Sequence, residues 1–285
     1  MTAPTPESIP ASTGRFERLP GGRLTQAAGA SSIVVDPSDG GRLTSLRVEG
    51  TEVLGATSPA PGLPSGIFAG SFLMAPFVGR ADRGRFDFGN ESWTLPTNAG
   101  PHALHGFVFD RAWRVDGDEL VIDLDDRWPF GGTVRQRFDL GPDSLTVTAT
   151  ISNEERSMPA VLGFHPWFTE RLADGSPGSF DFDPGTRFVC DSTGVPVGTV
   201  AGGGERPWDD SFADVRTPPV VRWTDGPQVR IGTTGSHWIV CETMPGAFCV
   251  EPLTGPVNAL AAGGAAVVGP GRPLTLVMTL SWRDS

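Results

Sequence analysis

The sequence predicts an all-β fold, a sandwich or barrel of many short antiparallel strands. Three observations predict it. Apolar residues recur with a period of two, Gly- and Pro-rich turn signals separate the runs, and no convincing helical stripe is present. Taken in chain order, Glu49-Gly50 marks an early turn and Asp116-Gly117-Asp118 a second. Leu120, Ile122 and Leu124 then alternate with Val121, Asp123 and Asp125, as a half-buried strand requires. After Gly131-Gly132, Leu145, Val147, Ala149 and Ile151 alternate with Thr146, Thr148 and Thr150. Asp225-Gly226-Pro227 is a further turn. The Ala-rich stretch from Asn258 to Ala266 is interrupted by Gly263 and Gly264, which disfavour a helix. Leu274, Leu276, Met278, Leu280 and Trp282 form the last strand pattern. The simplest organisation is a flexible tail over residues 1–14 and a single β domain over residues 15–285.

Composition narrows the function classes. The 285 residues include 38 Gly and 27 Pro, but also 17 Phe and 8 Trp, so the chain is a packed globule rather than a low-complexity segment. Lys and Tyr are both absent, and the formal net charge is −11. That balance, with Arg scattered along the chain, argues against nucleic acid and anionic membranes as partners. No apolar run approaches the roughly 20 residues that span a bilayer. The N-terminal segment lacks the charged and apolar regions of a secretion signal. Three cysteines, Cys190, Cys241 and Cys249, have no metal-site spacing; Cys241 and Cys249 can meet across a hairpin, and buried free thiols are the expected state. A cytoplasmic monomer or homodimer is expected.

The chemistry-bearing residues are few. His165 lies in Leu162-Gly163-Phe164-His165-Pro166-Trp167-Phe168. The following proline holds it extended, so His165 and Trp167 project to one face, with Gly163 leaving room there for a ligand. An imidazole beside an indole suits a sugar; the competing reading is a structural histidine at a strand end. His105 follows the loop Thr97 to Pro101, and His102 stands three residues earlier. A metal pair from these two lacks a fitting third ligand and is the weaker reading. His237, before an apolar run, reads as structural. Glu251 sits after Phe248-Cys249-Val250 and before Pro252, where burial would push its pKa up into the range of a useful base. Asp209 and Asp210 are candidate hydroxyl ligands or plain turn residues. Arg80 ends an apolar stretch and can donate two parallel hydrogen bonds, with Arg83 and Arg85 close behind. Nucleophile elbows, phosphate loops and nucleotide-binding glycine patterns are missing.

In order along the chain, these pieces resemble the aldose 1-epimerase, or galactose mutarotase-like, family. The resemblance rests on Gly79-Arg80 with Gly84-Arg85-Phe86, Asn98 with Leu104-His105-Gly106, and Gly163-Phe164-His165-Pro166-Trp167-Phe168. Asp209-Asp210-Ser211-Phe212, Cys249-Val250-Glu251-Pro252 and Gly269-Pro270-Gly271 complete it. It implies a large antiparallel β-sandwich of the mutarotase supersandwich type and an isomerase that interconverts the anomers of an aldose. By the same resemblance, Glu251 is the general base at the C1 hydroxyl and His165 the general acid at the ring oxygen, on opposite sides of the sugar. His105, Arg80, Asp209 and Trp167 bind the monosaccharide, and no metal or other cofactor is implied. Phe107 stands where many members carry a second Gly, which is expected to reshape one wall. Trp167 replaces the more usual Tyr. A hexose 6-phosphate epimerase with Arg80, Arg83 and Arg85 at its rim, and a non-catalytic sugar-binding module, are the alternatives.

Overall fold

A computed structural model describes residues 15–282, so the tail expected over residues 1–14 lies outside the described residues. Two antiparallel sheets carry the architecture, one of twelve strands and one of eight, with three two-stranded ribbons beside them. The all-β expectation is met, and the alternating runs of the sequence form paired strands. Ser144–Ser152 pairs along its length with Leu274–Ser281, setting Leu145 against Leu280, Val147 against Met278 and Ala149 against Leu276. These apolar partners are buried, while the hydroxyls of Thr146 and Thr279 meet on the outer face at 3.4 Å. Glu119–Asp123 departs in one respect: Val121, expected on the polar side, is buried as well.

The turn signals act as their chemistry demands. Val48 pairs with Thr51 across Glu49 and Gly50, whose φ values of 50° and 87° are both left-handed. Such a two-residue hairpin turn needs positive φ at both central positions. The Ala-rich stretch forms one helical turn, Ala259–Ala262, and ends at Gly263 with φ 81°. No helix among the described residues is long and apolar enough to cross a membrane.

One hydrophobic core joins the sheets. Phe138, Val147 and Leu276 from the eight-stranded sheet cluster with Leu73, Phe164, Phe168, Phe212 and Val250 from the twelve-stranded one. Each fully buried side chain of this size contributes about 1.5–3 kcal/mol relative to exposure. In the middle of the large sheet, Ser71–Met74, Gly163–Thr169, Ala247–Leu253, His237–Cys241 and Asp209–Ala213 lie side by side in that order. The residues of these strands that do not enter the core alternate onto the opposite face. That face carries the site.

Candidate active site

The register of the five central strands assembles the site. Phe72 pairs with His165, and Ile239 pairs with both Glu251 and Ser211. The pairs Gly163 with Leu253 and Trp167 with Cys249 flank the two prolines, and that register sets His165 opposite Glu251. Two residues along, Trp167, Cys249, Cys241 and Asp209 form a second cross-strand row on the same face. The alternate residues Phe164, Phe168, Val250, Val240 and Phe212 point into the core. Period-two geometry therefore places core and site on the two faces of the same strands.

His165, Trp167, Cys241, Glu251, Asp209 and Ser211 line a cavity of about 370 Å³, together with Arg80, His105 and an apolar wall that includes Leu63, Ile67, Phe68 and Met244. Its size suits a small ligand. At its floor, Nε2 of His165 lies 3.2 Å from Oε1 of Glu251. The Cys249 thiol donates to the same oxygen at 2.8 Å, and Oε2 of Glu251 has no hydrogen-bond partner among the described residues. Glu251 and His165 are 1% and 4% exposed. Burial pushes the Glu251 carboxyl well above the usual carboxylate range, with the Cys249 hydrogen bond opposing it. Burial also holds the His165 imidazole well below its ordinary value, helped by His105 and Arg42.

Phe72 stacks on His165 at 4.5 Å, and the Arg42 guanidinium lies 5.2 Å from the Phe72 ring centre. Arg42 is itself buried, bonded to Asp39 and to the carbonyl oxygens of Gly66 and Ala69, so it ties the wall segment at Ile67 and Phe68 to the sheet. The Trp167 indole donates to the Ile67 carbonyl at 2.7 Å and tilts over His165 at 4.9 Å.

A two-stranded ribbon brings in the remaining groups. Arg80–Ala81 pairs with Ala103–Leu104, so Arg80 and His105 arrive together. His105 has φ 59°, unusual for a side chain of its size, and Gly106 follows at φ 74°. A Cβ on Gly106 would fall 1.9 Å from the Ala75 carbonyl oxygen, so only glycine fits. Burial and the nearby Arg80 lower the His105 pKa to about 3. Arg80 packs against Gly194 in the loop that also brings Ser192 and Thr193 to the rim.

The two adjacent acids separate clearly. Asp210 is ion-paired with Arg187 at 3.5 Å. Asp209 meets the Cys241 thiol, and the surrounding protein raises its carboxyl pKa while Arg80 opposes this.

Several expectations are corrected. Gly163 leaves no room for a ligand, because Leu253, Met74 and Val78 crowd the place of its missing side chain. Phe107 shapes no cavity wall; it packs edge-on against Phe77 in the core. Arg83 is largely exposed and Arg85 lies on the surface, and neither reaches the cavity. His102 accepts from the Arg83 backbone N–H at 3.1 Å instead of pairing with His105. His237 lies outside the cavity beside Ser236, as its structural reading requires. The base and acid candidates also stand side by side rather than across a ligand. Three groups of metal-ligand type, His165, Cys249 and Glu251, do converge within 4.8 Å of one another, but each is engaged with another of the three.

Sequence reasoning missed Cys249 as a partner of Glu251, although the two-residue spacing on one strand carries that signal. It also missed Phe72 and Arg42, for which no local signal exists.

The structure is similar to a galactose mutarotase-like protein from Clostridium acetobutylicum, with TM-score 0.80 and 18% identity over 95% of this chain and 98% of that one. A galactose 1-epimerase from Lactobacillus acidophilus gives 0.74 and 13%, over 95% and 98%. An aldose epimerase homologue from C. elegans gives 0.75 and 13%, over 92% and 99%. At these identities the likeness shows the fold. No curated protein matches the chain in sequence. The family model for aldose 1-epimerase matches residues 23–215, a span that includes Arg80, His105, His165 and Asp209 and stops before Glu251. That match covers more than half of the sequence and agrees with the fold, and the chain belongs to the aldose 1-epimerase family.

Proposed function

We propose that this protein interconverts the α and β anomers of a free aldohexose by general acid–base ring opening and closure. The observation that carries this is the buried contact between His165 and Glu251 on the cavity floor. The C1 hydroxyl and the ring oxygen are bonded to one carbon, so an acid and a base that serve both must themselves be neighbours.

Oε2 of Glu251, without a hydrogen-bond partner among the described residues, takes the proton from the C1 hydroxyl. His165 delivers a proton to the ring oxygen, and the C1–O5 bond breaks to give the open aldehyde. Rotation about C1–C2 and reclosure with the roles reversed give the other anomer. The reacting form of the pair is carboxylate with imidazolium, and it becomes uncharged at the open-chain stage. Burial favours the uncharged form of each partner, so the charged pair is the minor form at rest and its proton transfers to and from the sugar are favoured once it forms. His105, kept neutral, and the cationic Arg80 bind hydroxyls and steady the ring oxygen. Asp209 orients the sugar, and Trp167 offers its indole as part of the wall.

The lining supports a neutral sugar over a phosphorylated one. Arg80 is the one Arg among the lining residues, against Asp209, Asp210 and Glu251. A phosphate calls for a cationic cluster.

Exchange of α and β glucose, galactose and other aldoses, followed by NMR or polarimetry, tests the proposal. Glu251→Gln and His165→Asn should each slow exchange by about 10²–10⁴-fold, the usual scale of one general acid or base. Exchange at the wild-type rate in both variants would refute the assignment. Sugar binding with no exchange in the wild type would make the protein a binding module, and faster exchange of glucose 6-phosphate than glucose would reverse the choice of substrate.

A further inference from the structure

We propose that Cys249 is a positioning residue for Glu251: its thiol holds Oε1 and so leaves Oε2 as the oxygen presented to the sugar. This rests on the anomerase reading of the site and assigns a role to a residue that the acid–base scheme does not use.

The geometry is specific. Cys249 and Glu251 lie two residues apart on Ala247–Leu253, so both side chains leave the strand on the cavity face. Sγ stands 2.8 Å from Oε1, and Nε2 of His165 is 3.2 Å from the same atom. A carboxylate bonded through one oxygen by two groups cannot flip about its last torsion without breaking both contacts. An unrestrained carboxylate would present either oxygen, and proton abstraction requires one oxygen within hydrogen-bond reach of the C1 hydroxyl.

The thiol is constrained from behind as well. Cys241 stands opposite Cys249 on the neighbouring strand. Cys241 in turn stands opposite Asp209, so the two thiols lie in the cross-strand row between the proposed base's strand and the proposed sugar-orienting acid. Burial, Cys241 and the Glu251 charge push the Cys249 thiol well above its ordinary value, which keeps it protonated and able to donate at neutral pH. Sulfur also suits the surroundings. Trp167, Cys241, Ala247 and Cys249 form a small apolar cluster, where a thiol packs at less desolvation cost than a hydroxyl.

The charged and titratable groups around Glu251 are His165 beside it, Cys249 on its own strand, Cys241 and Asp209 from the next strands, and His105 and Arg80 across the cavity. Of these, Cys249 is the one whose hydrogen bond favours the ionised carboxylate. Removing that donor therefore makes Glu251 harder to ionise.

The test is the pH profile of glucose and galactose anomer exchange by the full chain, for wild type, Cys249→Ala and Cys249→Ser. Cys249→Ala should lower kcat about tenfold, the rate equivalent of one hydrogen bond to a charged group, with little change in KM. Its acid limb should move to higher pH, and Cys249→Ser, which restores a donor, should recover most of both effects. An unchanged kcat and acid limb in Cys249→Ala, or equal impairment in Cys249→Ser, overturns the proposal, because either result reduces Cys249 to packing.

A second measurement needs neither sugar nor a folded alanine variant. The infrared S–H stretch of Cys249, assigned by its loss in Cys249→Ser, should shift in Glu251→Gln. An unmoved band overturns the hydrogen bond. If the wild type exchanges no anomers, the proposed function fails, and this band still decides the thiol–carboxylate contact.

Discussion

Phe72 lies against the imidazole of His165, with ring centroids 4.5 Å apart and 24° between their planes. Its strand, Ser71–Met74, pairs directly with Gly163–Thr169, so the stack is built into the sheet. Flat aromatic support of this kind contributes about 0.5–1.5 kcal/mol beyond area burial. Phe72→Leu nearly conserves volume but removes the flat surface. We expect a stability loss below about 1.5 kcal/mol, read by urea denaturation. We also expect a larger fall in kcat than in sugar affinity, because the imidazole loses its fixed plane. Equal losses in both would place the effect in the cavity wall instead.

Glu251 imposes a pH-dependent cost on the fold. Its carboxyl is raised in the native state, so the folded protein holds a proton that the unfolded chain releases above its ordinary value. Stability therefore falls as pH rises above that ordinary value. Glu251→Gln removes the titration. The variant should melt at a higher temperature than wild type at pH 8, and the difference should close toward pH 4. A constant difference across that range would contradict the buried, raised carboxyl.

His105 acts in the opposite direction. Its folded pKa of about 3 lies below the ordinary value of 6.5, so the unfolded chain binds the extra proton first. Stability is full above 6.5 and is lost as pH falls toward 3. Replacing His105 by Asn should flatten the acid side of the melting-temperature profile while weakening sugar binding. Calorimetry across that range measures the slope directly.

Gly106 is a stringent backbone position. With φ 74° and the Ala75 carbonyl oxygen 1.9 Å from any added Cβ, Gly106→Ala must shift the chain. Strain of this kind costs about 1–3 kcal/mol before the clash is counted. Denaturant unfolding should register at least that loss, and exchange activity should fall further because His105 sits on the same turn.

Asp209 and Asp210 should separate by mutation. Asp209→Asn is expected to raise KM for the sugar, since that carboxylate lines the cavity within the field of Arg80. Asp210→Asn removes a pair with Arg187 at 3.5 Å, and partly exposed ion pairs contribute only about 0–1 kcal/mol. Titration of both variants with the same sugar decides between them.

Much of this protein was legible in the linear chain. The alternation Leu145, Val147, Ala149, Ile151 identified a half-buried strand, and Glu49-Gly50 marked a turn. Proline after His165 and after Glu251 held both candidates extended. These features are local: side-chain alternation and turn chemistry depend on neighbours in sequence.

Local rules failed where a neighbour came from elsewhere. Gly163 reads as open space along its own strand, but Leu253 and Met74 on the flanking strands fill it. Arg42 carries no mark of its role, because the carbonyls it ties, Gly66 and Ala69, belong to another segment.

The sequence by itself determined the all-β class, the main strand and turn signals, and the residue types able to move a proton. Only the tertiary structure decided that His165 and Glu251 touch, that Cys249 holds Glu251 from its own strand, and that Arg83 and Arg85 stay away from the cavity. The reason is register. Strands distant in sequence are set side by side in the large sheet, and a slip of one residue would turn Glu251 into the core and Val250 into the cavity. Burial of Phe164, Phe168 and Phe248 on the core face holds that register, so the packing of one face aligns the chemistry of the other.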